Sequence, residues 1–206
     1  MTKTTTAIAI AALVASASAA PVLAQSKGDM TLGLGIHSVM PQGGNSTTTA
    51  GLLNVDDNVR PTLTFEYFIA DRIGIEVLGA YPFEHDINLV GTGTVAKTKQ
   101  LPPTISVQYH FVNNSTVTPF VGLGLNYTTF FDTEGVGALA GTSVSLEDSW
   151  GLAAHAGVDF QVSDHGSLRI DARYINIETD AEVGGAKIGK VNIDPLVIGA
   201  AYVYRF

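Results

Sequence analysis

The chain contains no cysteine, so it has neither a disulfide framework nor thiolate metal ligands. It is also poor in charge: 15% of its 206 residues are Asp, Glu, Lys or Arg, and only 11 of them are basic. A formal charge of −8 with a pI near 4.9 lacks the basic footprint that nucleic-acid binding requires. Downstream of the N-terminus no apolar run reaches the 18 residues that a membrane-crossing helix needs. What is present is apolar and flexible: 46% hydrophobic residues, a mean hydropathy of +0.25, 22 glycines and 17 aromatic side chains. That content excludes a disordered acidic polymer.

Residues 1–24 have the layout of a cleaved export signal. Lys3 supplies the positive start, 7–20 an apolar stretch rich in Ala, Ile, Val and Leu, and Pro21 ends it. Val22-Leu23-Ala24 then places small residues at the cleavage positions before Gln25. Residues 25–206 remain as a single domain.

In that domain the dominant period is two. Alternation predicts eight strands at 29–41, 59–69, 73–83, 99–111, 118–131, 147–161, 167–179 and 191–206. Short turns at Ala70-Asp71, Asn113-Asn114 and Asp164-His165-Gly166 alternate with longer loops at 42–58, 86–98, 132–146 and 180–190. Short turns on one rim and long loops on the other, with both chain ends on the short-turn side, are the layout of an outer-membrane barrel. The expected fold is therefore all-β, an eight-stranded antiparallel transmembrane β-barrel.

A soluble lipocalin-like barrel or a β-sandwich also alternates, so the aromatic positions decide. One expected belt, near the short turns, holds Tyr67, Phe68, Tyr109, Phe111, Phe120, Phe160, Tyr202, Tyr204 and Phe206. The other holds Tyr81, Phe83, Tyr127, Phe130, Phe131, Trp150 and Tyr174. Two girdles at opposite strand ends suit two lipid–water interfaces. The opposite set then faces the lumen: Thr62, Glu66, Glu76, Gln108, His110, Asn126, His155, Asp159, Arg169, Asp171, Arg173 and Arg205. Face-consistent hairpins set Glu66 beside Glu76 and Asp159 beside Arg169. Two adjacent carboxylates repel, so an ion-pair network with Arg169, Arg173 and Arg205 is expected inside. Glycines on the same face make room in the lumen, and a barrel of eight strands excludes a wide aqueous pore.

Other chemistry is weakly signalled. Gly91 to Thr98 misses a phosphate-binding loop because Ala96 stands where a glycine is required, and it reads as a mobile loop. The five histidines show no metal-binding spacing, and no cofactor is expected. Glu84, His85 and Asp86 invite an acid–base reading, but no serine is marked as nucleophile, so a solvated rim is expected and not an enzyme. Asp56, Asp57, Asp132 and Glu134 read as solvated surface with at most weak cation binding.

Several segments together resemble the OmpW family of outer-membrane proteins: 61–83 (PTLTFEYFIADRIGIEVLGAYPF), 101–111 (LPPTISVQYHF), 119–131 (PFVGLGLNYTTFF), Asp148-Ser149-Trp150-Gly151, and 191–206 (VNIDPLVIGAAYVYRF). The resemblance implies a monomeric eight-stranded barrel in outer-membrane lipid. It further implies that the barrel-insertion machinery reads a C-terminal signal at Tyr204 and Phe206. It implies passage of small hydrophobic solutes through a narrow apolar lumen closed toward the periplasm. Leu78 matches a leucine of the family's constriction, and Arg173 stands where the family has a partnering tryptophan. The expected function is a narrow channel for small, largely hydrophobic solutes, with release sideways into lipid. The competing expectation is a structural or receptor barrel, plugged by the Glu66/Glu76–arginine network, whose long loops carry the function.

Overall fold

Alternating apolar and polar side chains fit a sheet with one face in each of two solvents, and a closed sheet leaves no unpaired edge in lipid. The computed structural model describes residues 25–42, 46–49 and 51–206; the expected leader at 1–24 lies outside the described residues. Its strands are β1 (Met30–Met40), β2 (Thr47–Thr48), β3 (Leu53–Val55), β4 (Asn58–Ala70), β5 (Ile73–Ala80), β6 (Phe83–Leu89), β7 (Gly93–Leu101) and β8 (Thr104–His110). They continue with β9 (Val117–Gly135), β10 (Val144–Leu146), β11 (Ser149–Gln161), β12 (Gly166–Ile175), β13 (Glu178–Val183), β14 (Ala186–Asn192) and β15 (Leu196–Arg205). Eight of them form the antiparallel ring β11-β12-β15-β1-β4-β5-β8-β9, closed by β9 against β11.

The wall is inside out relative to a water-soluble protein. Leu123 and Leu152 are about 70% exposed (71% and 69%), whereas Glu76 and Arg173 are 0% and 1% exposed. Each outward leucine would forfeit roughly 1.5–3 kcal/mol if water covered it, so hydrocarbon is the solvent this surface fits. Tyr127 and Trp150 pack against each other in the belt toward the long loops, and Tyr204 and Phe206 meet edge to face in the belt near the short turns. Three expected belt members turn inward instead: Phe68, Phe83 and Phe120 are 0%, 2% and 1% exposed. Strand parity requires it, because Phe68 shares a face with Glu66, and Phe120 with Gly122.

The long connections carry strands of their own among the described residues. The third expected strand breaks at Tyr81-Pro82, and the fourth at Pro102-Pro103, because proline has no N–H to give a ladder. Beyond these breaks β6 and β7 form a hairpin that joins the upper part of the long β9, and β3 adds to its edge. The stretch resembling a phosphate loop is the tip of that hairpin and most of β7. On the opposite side β10, β13, β14 and β2 form a second sheet of four strands. Ile175 and Ile177 keep the inward parity of β12, both buried, and the register there carries no bulge. The two sheets rise above the membrane as a head and enclose one apolar core, including Leu53, Ile87, Val95, Ile177, Ala181 and Val191.

Candidate functional site

The inner wall divides into a charged lower storey and an apolar upper one. In the lower storey the hairpin β4–β5 sets Glu66 opposite Glu76, and β11–β12 sets Asp159 opposite Arg169. Arg169 forks onto Asp159, its Nε and Nη2 donating to the two carboxylate oxygens at 2.7 and 2.9 Å. Its Nη1 donates to Glu76 Oε2 at 2.9 Å, and its guanidinium lies 4.3 Å from the centre of the Phe120 ring. Arg173 donates to Glu76 Oε1 at 2.7 Å and to Asp171 Oδ2 at 3.0 Å. Two histidines extend the network: His37 donates to Asp171 at 3.1 Å and bonds Thr62 at 2.6 Å, and His110 donates to Glu66 at 2.8 Å.

Glu76 thus bridges two arginines. Arg169 also reaches within 3.7 Å of Glu66, so a cation stands between the two like charges. Arg205, expected in this network, sits at the short-turn mouth instead, 4.0 Å from Asp29 and donating to the Asp164 carbonyl. Its place near the end of β15 puts it one storey too low. A cleft of about 50 Å³ at that mouth reaches Asp159 and Arg169 and stops there.

The lumen glycines do not leave open space; they seat the network. A Cβ at Gly74 would lie 2.1 Å from Glu66 Oε1, one at Gly199 2.0 Å from the His37 ring, and one at Gly122 1.8 Å from His155 Nε2. Large side chains lie flat over glycine, so what reads in sequence as an open lumen is a filled one.

Above the network Leu78, 5% exposed, shares a cavity of only about 10 Å³ with Thr62, Phe83, Gln100, Ile175 and Val197. Arg173 does not line this cavity; its guanidinium is held by Glu76 and Asp171. Higher still, the head encloses a cavity of about 150 Å³ lined only by aliphatic side chains, from both sheets and from the turn at Gly137–Leu139.

Sequence reasoning missed His37, Phe120 as the seat of Arg169, and Gln100. Parity alone would have placed each of them inside.

The rim candidates diverge. Glu84 pairs with Arg60 at 3.1 Å and Asp86 with Lys97 at 3.6 Å, while His85 points to the inner face. Burial holds His85 below the usual histidine pKa, and its Nδ1 donates to the Asp56 carbonyl. Asp56, Asp57, Asp132 and Glu134 line a wet cleft of about 560 Å³ together with Lys97 and Lys99. Among the described residues no group of three or more His, Asp or Glu side chains has an arrangement that would hold a metal.

Comparison with known proteins agrees with this architecture. The model of the OmpW family matches residues 26–206. Outer membrane protein W of Vibrio cholerae is 43% identical over 95% of this chain and 96% of its own. The crystal structure of the outer membrane protein OprG from Pseudomonas aeruginosa superposes with a TM-score of 0.79 at 33% identity, covering 89% of this chain and 98% of that one. The solution structure of Escherichia coli outer membrane protein W gives a TM-score of 0.65 at 37% identity, over 88% and 99% of the two chains. With a family model spanning nearly all of residues 25–206, an inside-out barrel and relatives of the same build, this chain belongs to the OmpW family and resides in the outer membrane of Gram-negative bacteria.

Proposed function

We propose that this barrel is a narrow channel admitting small, largely apolar solutes from the external face. The observation that carries the reading is the 150 Å³ all-aliphatic cavity in the head, beneath which a packed apolar core with Phe83, Ile175 and Val197 separates it from the small cavity beside Leu78. A dry cavity of that size and lining suits a hydrocarbon of benzene dimensions. Below Leu78 the charged storey offers an apolar molecule nothing, since entering it would mean separating desolvated ion pairs. The favourable way out is therefore sideways into lipid. The β5–β8 ladder ends at Leu78 and Thr104, and Pro82, Pro102 and Pro103 interrupt the wall just above. Leu78 is then the constriction, and Arg173 with Glu66, Glu76, Asp159 and Arg169 forms the floor.

Uptake of a small hydrocarbon by intact cells tests the reading, because the lipopolysaccharide leaflet is the barrier such a solute must cross. Expression of the chain should raise the uptake rate severalfold, and Leu78→Trp should remove the gain while the barrel still inserts. Equal uptake with and without the chain would refute it. The sealed ion network favours one other reading, a plugged barrel whose head carries the function. Deletions in the head that abolish a phenotype without changing uptake would favour that reading.

A further inference from the structure

Three polar side chains line the cavity beside Leu78, and while His37 and Thr62 bond each other, the third has no such partner. Gln100, on β7 opposite Phe83, is 1% exposed, and among the described residues no hydrogen-bonding group reaches its Oε1 or its Nε2. Burying an amide with both ends unmatched costs several kcal/mol in apolar surroundings, so such a group is retained where something else pairs with it. Its neighbours show how easily a partner could have been built in. Asn126, also on the inner wall, donates to the carbonyls of Pro102 and Pro103 and accepts from Thr128. Apart from the mutually bonded His37 and Thr62, the other side chains around this space are hydrocarbon, among them Val39, Leu78, Phe83, Ile175 and Val197.

We infer that Gln100 is the specificity-determining residue of the channel, and that it recognises the hydroxyl group of a small aliphatic alcohol. This rests on the channel reading above and narrows it. The argument is one of size and valence. A cavity of about 10 Å³ admits a single water-sized group. A hydroxyl fits that space and both donates and accepts, so it answers Oε1 and Nε2 of the same carboxamide. A carboxyl or carboxamide brings two heavy polar atoms and is too large, and a hydrocarbon leaves the amide unpaired. The alkyl body then has to part the packed side chains of Val39, Phe83 and Ile175 to extend toward the aliphatic core of the head.

The experiment uses the full barrel in lipid nanodiscs, with 1-hexanol and n-hexane as probes and the side-chain amide resonances of Gln100 as readout. 1-Hexanol should shift those resonances saturably and n-hexane should not. Gln100→Met, of similar volume and without the amide, should lower hexanol affinity about five- to tenfold and leave hexane binding unchanged. Hexanol affinity equal in the wild type and Gln100→Met, or a Gln100 signal indifferent to hexanol, would overturn the inference and leave the amide as a water site. If Gln100→Met does not fold, the wild-type comparison of hexanol with hexane decides alone. Binding with this selectivity but no cellular uptake would sink the channel reading and spare this one. Uptake indifferent to the hydroxyl would do the reverse.

Discussion

The two storeys of the interior come from different strands and behave as opposite materials. The charged one belongs to the ring strands β4, β5, β11 and β12, and the aliphatic cavity to β3, β6, β7, β10, β13 and β14. Below Leu78 the inner wall carries four carboxylates and two arginines, with histidines His37 and His110 bonded to two of the carboxylates. Nearly every charge has a charged partner there, and glycine floors hold the large side chains in one position. Above Leu78 the wall is largely aliphatic around a cavity of about 150 Å³, and its buried polar groups make only local bonds, such as Thr98 with Thr133 and His85 with the Asp56 carbonyl. The comparison teaches that a barrel of fixed width is closed or kept compliant by what its inward residues bond to. Directional networks are intolerant of change, because removing one partner strands the others in a desolvated site. Dispersion packing with spare volume tolerates change.

The largest effect is therefore expected at the centre of the network. Glu76→Leu removes the carboxylate that Arg169 and Arg173 share, and should cost about 3–5 kcal/mol, the range for breaking a buried ion pair from one side. Equilibrium unfolding in urea from detergent or lipid measures it, with Trp150, the only tryptophan, as the reporter. A loss under about 1 kcal/mol would mean that water already reaches these arginines, and the contrast between storeys would fail. Next in size is Gly199→Val. A Cβ at this position falls 2.0 Å from the His37 ring, so His37 must leave Asp171. Overpacking of this kind costs about 1–3 kcal/mol. The same titration, together with loss of the His37 side-chain signal of a bonded imidazole, checks it.

Much of this division was legible in the sequence, because a period of two in a two-solvent sheet leaves no freedom in which side chain faces which way. Glu66, Glu76, Asp159, Arg169 and Arg173 were placeable inside from parity and hairpin register alone. Phe68 and Phe120 obey the same parity and were misplaced only where an aromatic residue near a strand end was read as an interfacial one. The glycines were harder. Their absence of a side chain reads as space, and only coordinates show that His37, Glu66 and His155 lie across them. The head was illegible for a different reason. In 83–101 and 178–192 the inward aliphatic residues are interspersed with Lys, Asp, Glu and Gly that face water, and that composition also marks loops. What orders the first is pairing of β7 with a β9 that continues to Gly135, what orders the second is pairing with β10 and β2, and no local pattern announces those partners.

The smallest effect separates the storeys most sharply, because its sign should reverse. Ala181 on β13 is 3% exposed and faces the head cavity, opposite Leu146 across the β10–β13 ladder. Ala181→Leu adds carbon to the interior just as Gly199→Val does, but into space already present and lined by aliphatic side chains. No hydrogen bond has to break and no backbone atom has to yield. Filling such a void should stabilise the barrel by about 0.5–1 kcal/mol in the urea titration. It should also lower hydrocarbon uptake, because the added side chain takes the volume that the solute would use. A destabilisation of the Gly199→Val size would show that the upper storey is packed as tightly as the lower one. Its compliance, on which passage of a solute through the head depends, would then be lost as an explanation.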